Sequence, residues 1–242
     1  MNYKKVGVYA ILGVLFFLPV TFLLFLYPAT HNYTPLDIVN ENVSDLNGFS
    51  SDSDSNILLK DHITVLGFLG NNPLDNLTAA SNLKELVYDK FKGFKKFQVV
   101  LILPEGLEKE AEQLRKDISL YEDLRFLHLV FGKPSAIKTV YNSFKSTELL
   151  GEDLATDYVF IVDKDLNQRG RIDDREDREI EKNKPLYGLN AYNCIEVATI
   201  KNKMSEDLRI LFTEYRQKRK DEFNSEIRRA SDLQGTASDE KN

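Results

Sequence analysis

Short apolar, β-branched runs alternate with amphipathic stretches of helical period along most of this chain, and that alternation restricts the fold more than any other feature. Ile63-Thr64-Val65-Leu66-Gly67-Phe68-Leu69 reads as a buried strand, closed by the breaker Gly70-Asn71-Asn72-Pro73. Residues 77–91 read as a helix with Leu83, Leu86, Val87 and Phe91 on one face and Asn76 as its N-cap. Residues 97–103 form a second strand, 107–121 a charge-rich helix carrying Leu114, Ile118 and Tyr121, and 124–130 a third strand. Pro134 sits in the tolerated first turn of a helix reaching Phe144. Residues 158–163 form a fourth strand, which turns through Lys164-Asp165-Leu166-Asn167 into a hairpin partner at 168–172. A last helix runs from Ser205, read as its N-cap, to about Arg219, with Leu208, Leu211, Phe212 and Tyr215 lining one face.

Strands alternating with helices require parallel βαβ units, and a hairpin before a closing helix adds an antiparallel edge. The expected class is therefore α/β: a mixed sheet flanked by helices, arranged as a thioredoxin-like sandwich with one extra helix. Its expected extent is residues 57–219.

Four further segments frame that domain. Residues 6–27 are almost unbroken in apolar character, and roughly 20 apolar residues span a hydrocarbon core. Lys4 and Lys5 precede the run and no basic cluster follows it, so residues 1–5 are expected in the cytoplasm and the bulk outside. A cleaved signal peptide is the alternative, but its apolar region would be shorter and Tyr27-Pro28-Ala29-Thr30 is a poor cleavage site. Residues 28–56, rich in Ser and Asp, read as a flexible polar linker, and 220–242 as a flexible charged tail. Asn32, Asn42 and Asn76 open Asn-x-Ser/Thr triplets of the kind that recurs by chance, which leaves a bacterial inner membrane, with the domain in the periplasm, as the expected setting. The net charge of −6, without a basic stripe interleaved with aromatics, argues against nucleic acid as a partner.

In a thioredoxin-like fold the reactive cysteines stand after the first buried strand, at the start of a helix. Here that place holds Asn72 and Asn76. The text around it, Leu66-Gly67-Phe68-Leu69, then Asn72-Pro73-Leu74-Asp75-Asn76, then Leu83-Lys84-Glu85-Leu86, resembles the SCO/SenC family of thioredoxin-like, copper-handling proteins that help assemble cytochrome c oxidase. The family has Phe-Gly-Phe-Thr, then Cys-Pro-x-x-Cys; the join between strand and motif is one residue longer here. Gly132-Lys133-Pro134-Ser135 with Ile137 and Tyr141 is similar to a later family pattern, and Asp163 closes the strand that the family ends in Leu-x-Asp. The resemblance covers about residues 57–219. It implies a single N-terminal anchor and a copper site, but both cysteine positions are Asn, and Leu154-Ala155-Thr156-Asp157 lacks the family's His. Cu(I) prefers thiolate sulfur, which an Asn amide does not replace. The chain thus reads as a degenerate member without metal or cofactor.

The remaining soft or imidazole ligands, His31, His62, His128, Met204 and Cys194, form no short-spaced pair. With Cys194 the only cysteine, neither an internal disulfide nor a dithiol exchange reaction is open to one chain. A thiol peroxidase lacks its low-pKa cysteine, and no Gly-x-Ser-x-Gly elbow is present. Asp75 reads as a dipole-matched acid. No enzymatic activity is expected, and the sequence identifies no small-molecule substrate.

Residues 169–193 are dense in both charges and end in Tyr187-Gly188-Leu189-Asn190-Ala191-Tyr192. As a solvated loop such charges contribute little. As a docking insert they supply Arg171, Arg175, Arg178, Tyr187, Leu189 and Tyr192, with Arg and Tyr the types enriched at interface hot spots. The leading expectation is a non-enzymatic binding or assembly factor contacting another envelope protein, linked by the resemblance to respiratory-complex biogenesis. The alternatives are a copper carrier with relocated ligands and a redox sensor through Cys194.

Overall fold

The computed structural model describes residues 12–22, 35–52, 56–119 and 122–218, in two units, Met1–Thr34 and Pro35–Asn242. In the first, residues 12–22 form a helix whose apolar side chains, Leu15 and Phe16 among them, are exposed. The expected anchor at 6–27 lies in good part outside the described residues. Among those described, no helix is long and apolar enough to cross a membrane. The expected tail at 220–242 also lies outside them.

The second unit is built on one mixed sheet. Its strands are β1 (Asp37–Asn40), β2 (Ser50–Ser51), β3 (Ile63–Leu69), β4 (Phe97–Pro104), β5 (Leu127–Gly132), β6 (Ala155–Val162), β7 (Gln168–Gly170) and β8 (Tyr192–Asn193). The order is β1-β7-β6-β3-β4-β5-β2, with β8 added to β6. β3, β4 and β5 are parallel, and β6 runs antiparallel to β3 and β7 to β6. The strands expected at 63–69, 97–103, 124–130 and 158–163 and the hairpin partner at 168–172 are present as β3, β4, β5, β6 and β7, in the mixed sheet expected of the class. β3 and β4 are buried at every position, which is why their sequences are continuous apolar runs instead of alternating ones.

Helices cover both faces. On one lie α1 (residues 77–91), α2 (Glu108–Ser119) and a long closing helix at 197–218; they bury Leu83, Val87, Leu114, Leu208 and Leu211 against Val65, Val99, Leu101, Leu129 and Ile161. On the other lies α3 (Pro134–Asn142), with Ile137, Val140 and Tyr141 against Leu66, Phe68, Val100 and Phe160. A short helix, α4 (Asp177–Glu181), lies in the insert; the closing helix is α5.

Several expectations are corrected. Residues 35–52 are folded, not part of a polar linker. One short helix cannot cover its face of the sheet, and Val43, Leu46 and Phe49 fill the remainder together with Ile57 and Leu59. Asp45 Oδ1 accepts from the backbone N–H of Leu46 and of Leu59 (2.8 and 2.7 Å), tying the segment to the strand approach. Phe49 lies flat over Gly132, where a Cβ would stand 2.2 Å from its ring. α1 has the expected span, but Lys84–Tyr88 is a π-helical stretch, which turns Lys84 inward to meet Asp89 and Glu122 at 3.1 and 3.4 Å. Asn76 stands at the N-cap position of α1 as expected, but its side chain makes no capping bond; its Nδ2 donates to the Leu69 carbonyl.

Ser205 is likewise not a cap. α5 begins at 197, and its first turns include a second π-helical stretch, Thr199–Met204. Asn193 Oδ1 receives the N–H groups of Ile195 and Glu196 ahead of it, while the Ser205 hydroxyl donates to the Ile200 carbonyl within it. The sequence signal for the true start was Asn193, an Asx-type residue that favours such turns.

Candidate functional site

The loop after β3 is held by backbone contacts and by one side-chain amide. Gly70 has φ +68°, and a Cβ there would lie 2.5 Å from the Asp153 carbonyl, so only glycine fits without strain. Asn71 N–H donates to that carbonyl at 2.8 Å, docking the loop on the turn that leads into β6. Leu154 in that turn also takes a left-handed φ of 65°. Asn72 is exposed and Pro73 buried beneath it. Asn76 is half-buried, and its amide is engaged with Leu69 O at 2.8 Å. The two positions therefore differ: one faces solvent, the other braces the strand end.

Two further segments meet this loop. Residues 151–158 carry the turn and the start of β6. Residues 193–198 follow β8, with Tyr158 paired to Asn193 and the Cys194 N–H donating to Asp157 O at 2.7 Å. Asn82 of α1 donates to the Cys194 carbonyl at 2.9 Å. Around them Leu74, Leu149, Ile195 and Val197 are exposed, Leu149 at 90 %. The stretches 70–78, 146–158 and 193–198 contain Asp75, Glu148, Glu152, Asp153, Asp157 and Glu196, all exposed, and no Lys, Arg or His. Burial, and after it Glu148 and Glu196, push the Tyr158 phenol up. This end of the sheet thus carries exposed apolar side chains and exposed carboxylates and, in these three stretches, no basic group.

Cys194 does not face that surface. It is buried in the core beneath α1 and α5, and burial pushes its thiol up to about 12. A reactive cysteine needs the opposite, an exposed position and a lowered pKa. One buried sulfur makes no catalytic pair. Met204 is also core. His62 and His128 line one cavity, and burial lowers the His128 pKa. His31 lies outside the described residues. Among the described residues no group of three His, Cys, Asp or Glu is arranged to hold a metal ion.

The insert is more ordered than a solvated loop. Arg171 pairs with Leu189 in a β-bridge, and α4 begins with a capping box between Glu176 and Glu179. Glu179 receives Lys184 Nζ (2.7 Å) and the Tyr187 hydroxyl (2.5 Å). Those donors and the Glu176 N–H hold the Glu179 carboxyl down at about 2; the same bond pushes the Tyr187 phenol up to about 12. Arg175 is engaged with Asp173 and the Lys184 carbonyl.

Of the six residues expected on a docking surface, the structure brings only part to solvent. Arg178 and Tyr187 are exposed; Arg171, Arg175 and Leu189 are half-buried. Tyr192 is fully buried, a correction to its expected place: its hydroxyl donates to Asp207 Oδ2 at 2.6 Å. Arg171 grips the same carboxylate and reaches Asp174, which also pairs with Lys203. Burial pushes the Asp207 carboxyl up, against the pull of the guanidinium and the phenol.

A second buried cluster sits alongside. Arg169, with its side chain 3 % exposed, donates to Asp163 (3.0 Å), to Glu214 of α5 (2.5 Å) and to the Leu36 carbonyl (2.6 Å). Sequence reading missed both clusters because their partners lie 36 and 45 residues apart.

No family model and no curated protein sequence matches the chain. Among solved structures, apo Sco1 from Thermus thermophilus is similar at 14% identity and TM-score 0.42, covering 76% of this chain and 99% of that one. Copper-bound ScoI from Bradyrhizobium japonicum is similar at 14% identity and TM-score 0.39, covering 71% and 99%. A putative protein disulfide isomerase from Bacteroides thetaiotaomicron is similar at 9% identity and TM-score 0.40, covering 57% and 80%. At these values the likeness carries no inference about the chemistry of this chain.

Proposed function

We propose that this chain is a binding or assembly factor on a thioredoxin-like scaffold, without redox or metal chemistry, anchored through residues 6–27 with its body outside the membrane. One observation carries the reading. At the strand end where a thioredoxin-like protein presents reactive sulfur, this chain presents Asn72 and a structurally engaged Asn76, set in an exposed apolar surface of Leu74, Leu149, Ile195 and Val197. An exposed apolar patch rimmed by polar residues is the character of a protein-contact surface. The anchor rests on the length of the apolar run and on Lys4 and Lys5. A role in respiratory-complex biogenesis rests on the SCO/SenC resemblance alone.

The contact surface in this reading is the β3 end, not the insert, whose Arg175 and Tyr187 are engaged with its own groups. A photo-reactive residue placed at Leu149 in cells is expected to give one discrete crosslinked species. The same residue at Glu112, exposed on α2, is expected to give none. Asp75→Lys with Glu148→Lys removes the Leu149 product. Equal crosslinking from both positions, or a product indifferent to charge reversal, overturns the reading. Anaerobic Cu(I) loading of the full chain, read by elemental analysis after desalting, is expected to leave copper far below one per chain. One copper per chain would instead establish relocated ligands.

A further inference from the structure

At the opposite end of the sheet, where β3, β4 and β5 begin, lies a cavity of about 370 Å³ with the reverse chemistry. Its nitrogen-bearing walls include His62, Lys96, Arg125 and His128; its apolar walls include Leu58 and Phe126. Among the described residues no carboxylate lines it, in a chain whose net charge is −6.

The walls are fixed by bonds that do not use the cavity-facing charges. Gln98, almost fully buried, donates through Nε2 to Leu58 O (2.8 Å) and to Thr64 Oγ1 (3.0 Å), fastening the floor to the approach of β3. Lys96 takes a left-handed φ of 65°, and its carbonyl accepts the Ile63 N–H at 2.8 Å. The backbone thus holds Lys96 at the rim, and among the described residues its ammonium has no ion pair. His62 Nδ1 lies 3.0 Å from the Lys60 carbonyl, so Nδ1 donates there, and among the described residues Nε2 has no hydrogen-bond partner. Among the described residues Arg125 pairs only with Asp123, at 3.3 Å and with both side chains exposed, a pairing that solvent leaves weak. Phe126, 39 % exposed, stands beside these groups.

A pocket of this volume takes a small ligand, and its lining sets the ligand's class: apolar walls bury a compact body, while a few convergent polar groups fix one charged end. We propose that this cavity binds a small organic monocarboxylate with an apolar body, its carboxylate between Lys96 and Arg125 and its body against Leu58 and Phe126. Guanidinium and ammonium donors form charge-assisted hydrogen bonds to such an anion. The site is independent of the contact surface at the β3 end.

The test is a titration of the full chain, with 13C-labelled histidine rings followed by NMR, using benzoate as the probe and inorganic phosphate and chloride at matched ionic strength as comparisons. Benzoate is expected to move the His62 and His128 signals together and saturably, while His31 stays. Phosphate is expected to bind more weakly, and chloride to give no saturable shift. Lys96→Gln with Arg125→Gln, both exposed and tolerant of substitution, is expected to weaken benzoate by about tenfold. A non-saturating response, or full affinity in the double variant, overturns the site. Equal affinity for phosphate overturns the apolar half of the assignment.

Discussion

Arg171 and Asp207 are bound side by side: Nη2 lies 2.7 Å from Oδ1, and Nε lies 3.0 and 3.2 Å from the two oxygens. Asp207 is fully buried in α5, and Arg171 is the first residue after β7. With Tyr192 on the same carboxylate, this pair fastens both ends of the insert to the closing helix. The insert is thereby part of the domain.

Asp207→Ala leaves a half-buried guanidinium and a buried phenol without their acceptor. The expected loss is about 3 kcal/mol, at the lower end for a broken buried pair because Arg171 is 28 % exposed. Urea denaturation read by circular dichroism checks it; a loss near zero would mean that water replaces the carboxylate.

Arg169→Met tests the neighbouring cluster. It leaves Asp163, 1 % exposed, without its cation, and frees the Leu36 carbonyl. A loss of about 3–5 kcal/mol is expected, because an uncompensated buried charge remains. Arg169→Met combined with Asp163→Asn should recover part of it, since the charge itself is then gone.

The insert should respond to acid before the core does. Glu179 titrates at about 2 in the folded protein against an ordinary value of 4.5. Its folded pKa is depressed, so its contribution is fully present above about 4.5 and is lost as pH falls through 2. Hydrogen-exchange protection at residues 176–187, taken against the intrinsic rate at each pH, is expected to fall across that window while β3 and β4 stay protected. Glu179→Gln should remove the pH dependence of that protection; protection at pH 2.5 equal to that at pH 5 in the wild type would contradict the assignment.

Cys194 should be inert in the native state. With its thiol at about 12 and its side chain in the core, alkylation by iodoacetamide at pH 8 is expected only after denaturant is added. Labelling of the folded chain at the rate of a free thiol would reopen a redox role.

Leu46→Ala examines the folded segment ahead of β3. Leu46 is fully buried on the face shared with α3, and a loss of about 2–5 kcal/mol is expected. A polar linker would show no effect, so thermal unfolding of this one variant separates the two descriptions.

The sequence alone determined the strand–helix succession. The apolar runs at β3 and β4, the Gly-Asn-Asn-Pro breaker and the helix at 77–91 all carry local signals, because burial on both faces and helical period leave a pattern within a few residues. The absence of paired sulfur was equally plain from a single Cys194. What lay beyond it are features set by partners distant in the chain. Val43, Leu46 and Phe49 look like linker residues until the face beside α3 needs covering. Tyr192 looks like a surface aromatic until Asp207, on another element, supplies its acceptor. Lys84 looks like part of an exposed helix face until a π-helical stretch turns it toward Asp89 and Glu122. Tertiary structure also decided the two ends of the sheet, gathering carboxylates from three separate segments at one and nitrogen bases from three others at the other. Charges placed by topology carry no local period, so no window of sequence reveals them.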